Sequence, residues 1–195
     1  MIRTAVGIKA WITKVPSVEE VRPSHCVGCG AASRPVGERL TVHGHGLLER
    51  QVRGVLDVGA DPGVFVLSVR RYACQLCRAV MTVVPAGMLA RRLYSAGSIA
   101  LALYVWLIAS KSGREVRRQV CAWRIHGRND AGWAQLGRWA RAPMRVFSLP
   151  RPLEAPEGAY ALARSVLTTL QALAPMPLGA APIALQIFEG AGHTR

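Results

Sequence analysis

Lysine is scarce in this chain. Only Lys9, Lys14 and Lys111 occur among 25 lysine and arginine residues, so nearly every cation is an arginine. Acids are few as well: Asp and Glu together number 11, and the aspartates are Asp57, Asp61 and Asp130 alone. The shortage leaves a formal net charge of +14 on 195 residues. Such a surplus calls for an anionic partner, nucleic acid first and anionic membrane second. Long apolar runs are also missing. The longest, "IALALYVWLIA" at 99–109, falls well short of the ~20 residues of a membrane span and reads as a buried helix. The opening "MIRTAVGIKAWITKV" has no sustained apolar stretch before a small-residue cleavage site. A reducing cytoplasm is therefore expected, with the protein associated with the nucleoid and not with a membrane. The apolar fraction of 51% excludes wholesale disorder. The length suits one sizeable core or two to three small modules.

What is present is concentrated. Residues 61–145 hold 14 Lys/Arg and 3 Asp/Glu, whereas residues 1–60 hold 8 and 5, and residues 146–195 hold 3 and 3. Nearly all of the surplus charge thus lies in the middle of the chain. Arginine presents a planar fork of donors that matches phosphate and guanine.

Four of the five cysteines form two pairs, "CVGCG" at 26–30 and "CQLC" at 74–77. In a reducing compartment, pairs at this spacing read as metal ligands rather than disulfides. Cys26, Cys29, Cys74 and Cys77 can supply four thiolates to one tetrahedral Zn2+, a structural site with no open position for a substrate water. Gly28 and Gly30 let the first knuckle turn tightly. His25, His43 and His45 are weaker candidates as substitute ligands, better read as a residue before the knuckle and a glycine-rich turn. Cys121 stands apart and reads as a buried hydrophobe.

The texture of the first half is β. Residues 3–15 read as a strand ended by Pro16. Strands follow in "ERLTVHG", "RQVRGVLDV" and "VFVLSVRRYA", separated by turns at "HGHG" and "GADPG", and "AVMTVV" at 79–84 closes the set before Pro85. From residue 94 the pattern is helical. Helices are expected over 94–110 with Ser95 as cap, over 112–123 with a Ser112/Glu115 capping box, and over 130–142 with Pro143 as stop. "SLPRPLEAPEG" at 148–158 reads as a linker and 159–174 as an apolar helix; the tail has no readable pattern. The predicted fold is α+β: a small β-rich zinc ribbon (1–90), a three-helix, helix-turn-helix-like DNA-binding module (91–145), and a linker with a C-terminal helix (146–195).

In a helix-turn-helix the last helix enters the major groove and the one before it crosses the backbone. Candidate DNA contacts are Arg117 and Arg118 on the second helix, Arg124 and Arg128 in the turn, Gln135, Arg138 and Arg141 on the third helix, and Arg145 after it. The turn "RIHGRN" is longer than the three or four residues usual for the motif. Trp123 and Trp133 are expected in the core, and Trp139 either in the core or on a base-stacking surface.

The run "RRYACQLCRAVMTVVPAGMLARRLYSAGSIALALYVW" at 70–106 resembles the N-terminal region of bacterial insertion-sequence transposases, and "CVGCG" and "GWAQLGRWAR" at 132–141 match the first knuckle and the last DNA-binding helix of such segments. The resemblance covers roughly residues 22–145. It implies zinc ligation by the four paired cysteines and DNA contact around Arg138 and Arg141. The carboxylate-rich catalytic domain of that family has no counterpart here: Glu154, Glu157 and Glu189 are the acids of residues 146–195. The expectation is a non-enzymatic, zinc-stabilised protein that reads double-stranded DNA and serves a transposase or recombinase as an accessory. The alternatives are a transcriptional regulator of the same build, or an interaction scaffold docking through Leu162, Val166, Leu170 and Leu173.

Overall fold

In the first half, β-branched and apolar residues recur between glycine-rich turns, and the chain answers with four strands. A computed structural model describes residues 1–123, 133–150, 156–175, 178 and 180–194. The strands are β1 (Ile2–Gly7), β2 (Val42–Gly54), β3 (Gly63–Cys74) and β4 (Val80–Ala86). They form one mixed sheet in the order β1-β4-β3-β2, with β1 parallel to β4 and β3 antiparallel to β4. Seven helices lie among the described residues: α1 (Ile8–Thr13), α2 (Ala96–Leu107), α3 (Gly113–Val120), α4 (Ala134–Arg141), α5 (Pro143–Phe147), α6 (Ala159–Ala172) and α7 (Ile183–Gly192). The chain divides into two compact units. Met1–Gln51 goes with Val66–Ala86, and Val52–Phe65 with Gly87–Arg195, so the far end of the β2–β3 hairpin counts with the second unit.

The expected ribbon, helix-turn-helix-like module and single C-terminal helix are not the observed fold. A ribbon would be built from local hairpins. Here the N-terminal strand pairs with a strand some eighty residues later, Ile2 opposite Val83, and makes a mixed sheet. The segment read as a strand over 3–15 turns helical at Ile8, which sets Trp11 at 0% exposure with its indole Nε1 donating to the Ser68 carbonyl at 2.9 Å. The turn expected at "HGHG" does not exist, because β2 runs straight through it. Gly44 is needed there for a close approach: a Cβ would stand 2.9 Å from the Val18 side chain. Pro85 lies inside β4 rather than after it. The antiparallel register with β3 runs only from Val80 to Val83, so the missing amide costs that ladder nothing.

The second unit is organised around α2. Ser95 caps it, its hydroxyl accepting from the Ser98 amide at 3.1 Å. Every residue from Ala96 to Leu103 is buried, because α3, α4, α6 and α7 all pack against it. The buried Ser98 hydroxyl donates to the Val55 carbonyl and accepts from the Val55 amide, both at 3.0 Å. α3 begins at the expected capping box, with Ser112 and Glu115 each bonded to the other's backbone amide. The tail supplies α7, which packs on α2 and α6. α6 buries Ala163, Val166, Leu167 and Leu170 in this core, while Leu173 is exposed; its stripe faces its own unit. No helix among the described residues is long and apolar enough to cross a membrane.

Candidate metal centre

The two cysteine pairs come together in the first unit. Cys26 Sγ lies 3.5 Å from Cys77 Sγ, and Cys29 Sγ lies 3.8 Å from Cys74 Sγ. All four sulfurs fall within 4.8 Å of one another. A tetrahedral ion bonded to sulfur at ~2.3 Å requires sulfur separations of ~3.8 Å. The four thiols thus meet the geometric requirement of a metal site.

Local backbone geometry explains how each pair is presented. In the first knuckle the Cys26 amide donates to the Ala31 carbonyl and the Gly30 amide to the Cys26 carbonyl, both at 2.9 Å. The second repeats this position for position: the Cys74 amide donates to Ala79 and the Arg78 amide to Cys74, both at 3.0 Å. The residue after the second cysteine is left-handed in each, Gly30 at φ +74° and Arg78 at φ 63°. The second knuckle is also the turn between β3 and β4, so Cys74 ends one strand and Val80 begins the next. Thr41 straps the two knuckles together, its amide donating to Ser33 at 3.0 Å and its carbonyl accepting from the Gln75 amide at 2.8 Å. Gly28 permits the approach, since a Cβ there would sit 3.0 Å from Ala79 Cβ and 3.4 Å from Cys77 Sγ.

The electrostatics favour a cation. The Cys29 and Gly28 amides bonded to Cys26 Sγ lower its pKa to about 7. At Cys77 the Ala79 amide pulls the same way, but the neighbouring sulfurs of Cys26, Cys29 and Cys74 outweigh it and push the thiol up to about 12. Four thiolates cannot share this space without a positive charge among them, and a coordinated cation removes the conflict. Cys26 and Cys74 are buried, whereas Cys29 and Cys77 are exposed. None of His25, His43 and His45 joins the cluster: His25 contacts Ser24 Oγ at 3.1 Å, and His43 Nε2 lies 2.7 Å from the Leu40 carbonyl.

The expected DNA contacts belong to the second unit. Arg117 and Arg118 lie in the last turn of α3, Gln135, Arg138 and Arg141 on α4, and Arg145 on α5. Arg118, Arg138, Arg141 and Arg145 are exposed or half-buried, as are Arg117 and Gln135. Arg124 and Arg128 lie outside the described residues. Leu136, Trp139 and Ala140 fill the buried side of α4. Trp139 is 1% exposed and meets Tyr94 and Trp133 edge-on, at centroid distances of 5.3 and 5.1 Å. Trp123 departs from expectation. It stands beyond the end of α3, 55% exposed, with the Arg53 guanidinium 5.7 Å from its ring centroid. Helical spacing from Val116 and Val120 suggested a core position, but the helix ends at Val120 and the stripe ends with it. Cys121 is buried and accepts a hydrogen bond from the Tyr94 hydroxyl at 3.1 Å. No protein-family model, curated protein or solved structure matches this chain.

Proposed function

We propose that the chain is a non-enzymatic DNA-binding protein whose first unit is held folded by structural Zn2+ on Cys26, Cys29, Cys74 and Cys77. Zinc is the choice because an all-thiolate, tetrahedral donor set suits it and leaves no position for a substrate. When bound, the ion supplies a cross-link between the two knuckles and no chemistry of its own.

The observation that carries the DNA reading is the set of solvent-accessible arginines on three consecutive helices. Arg138, Arg141 and Arg145 form no ion pair with a carboxylate among the described residues, and Arg118 only feels the charge of Glu115 one turn away. Gln135, Arg138 and Arg141 recur every three residues along α4, away from its buried side. Unpaired guanidinium groups in a chain of net charge +14 are suited to neutralise phosphates and release counterions. Arg138 and Gln135, one turn apart, are the side chains assigned to reading bases. The link to a transposase or recombinase rests on the resemblance of residues 70–106. The test is binding of the metal-loaded protein to duplex DNA across a salt series. Affinity should fall steeply and linearly on logarithmic axes; absence of binding at low salt would sink the reading.

A further inference from the structure

Tryptophan is costly to leave in water, and this chain buries or half-buries four of its five: Trp11 and Trp139 are 0% and 1% exposed, and Trp106 and Trp133 are half-covered. Trp123 is the exception. Two of its described neighbours are also tethered. Arg53, which faces its ring, is pinned by backbone bonds on both sides: its amide donates to Leu93 at 2.7 Å, and its carbonyl accepts from Ser95 at 3.2 Å. The Tyr94 hydroxyl is tied to Cys121, two residues before the tryptophan. The positive charges of Arg53 and Arg117 both bear on that phenol.

Among the described residues the buried Arg117 Nε and Trp139 Nε1 have no hydrogen-bond partner, and Trp139 packs edge-on to Tyr94. A water molecule can satisfy either donor; it does not account for an exposed indole held beside a guanidinium. An exposed indole beside a guanidinium fits a ligand with a flat aromatic ring next to an anionic group, which is the chemistry of a nucleotide. Within a duplex every base is already stacked on its neighbours, so a free indole gains only from a base that is not.

We infer that Trp123, backed by Arg53, stacks on an unpaired base, so that the protein prefers duplex DNA bearing a single-stranded extension to blunt duplex. This rests on the DNA-binding reading above. The measurement is binding of the full, metal-loaded chain to a blunt duplex and to the same duplex with a DNA or an RNA extension. The wild type should favour an extended form by roughly 5- to 150-fold, the range that base–aromatic stacking supplies. Trp123→Ala should erase the preference and leave blunt-duplex affinity unchanged; Trp123→Phe should keep most of it. Extended DNA should also shield Trp123 from a soluble fluorescence quencher in the wild type, with the thermal transition of each variant confirming its fold. Equal binding of both forms by the wild type overturns the inference and leaves the DNA reading intact. Equal weakening of both by Trp123→Ala also overturns it, and would assign the ring to duplex contact instead. Failure of every form to bind overturns both readings.

Discussion

At the scale of single residues, the metal centre concentrates consequence in a few positions. Cys74 ends β3, is 1% exposed and belongs to the cluster of four thiols that could hold a metal ion. With structural zinc there as proposed, Cys74→Ser removes one thiolate from a site whose metal affinity would itself be folding free energy, about 10–16 kcal/mol for small structural zinc sites. The variant should lose bound metal and the cooperative unfolding of the first unit, checked by metal analysis and thermal melting; unchanged metal content would remove the site from the fold's support. Arg78 offers the opposite sign. Its φ of 63° is one that a Cβ disfavours, and its counterpart in the first knuckle is Gly30. Arg78→Gly keeps the amide that bonds Cys74 and should stabilise the loaded protein by up to about 1 kcal/mol, read from the denaturant midpoint. A loss of stability there would mean that the arginine side chain matters more than its backbone.

Among elements, α6 and α7 cross closely at Gly190. A Cβ on Gly190 would stand 1.8 Å from the Leu170 carbonyl oxygen, a backbone atom that cannot swing aside. Gly190→Ala should cost about 3 kcal/mol or more by forcing the helices apart, whereas Gly192→Ala, with nothing within 4 Å, should be neutral or slightly favourable. Thermal melts of the two variants make the comparison. This crossing was invisible in the sequence, since the tail's glycines and prolines hide a ten-residue helix whose stability comes from packing. Where the signal is local, the sequence was legible. The Ser95 and Ser112 caps place the starts of α2 and α3 within a residue or two, and the spacing of two identifies all four clustered thiols. Where it is not local, it misled. Glycines 44 and 46 resemble a turn until the neighbouring Val18 is known, and nothing in "IRTAVG" names β4 as its partner. Trp123 followed a helical stripe that stops three residues too soon.

For the whole molecule, charge carries the proposed DNA binding. Arg138→Ala with Arg141→Ala should weaken duplex binding, reduce the salt slope by about 1 for the phosphate that Arg141 leaves unneutralised, and relax sequence preference at the base that Arg138 reads. An unchanged slope would assign DNA binding to other arginines. The first unit carries a different consequence in its topology. Its ligand pairs stand 51 and 45 residues apart, and β1 waits for a strand at Val80–Ala86. A ribosome needs roughly 2–9 s to make that intervening stretch at typical rates, while a hairpin forms in about 1–10 μs. The newborn chain therefore spends seconds with Cys26 and Cys29 emerged and no second knuckle to meet them. During that interval the thiols are open to whatever soft cation or oxidant reaches them first, so with zinc as the proposed ion, its supply at the moment of synthesis would set the yield of folded protein.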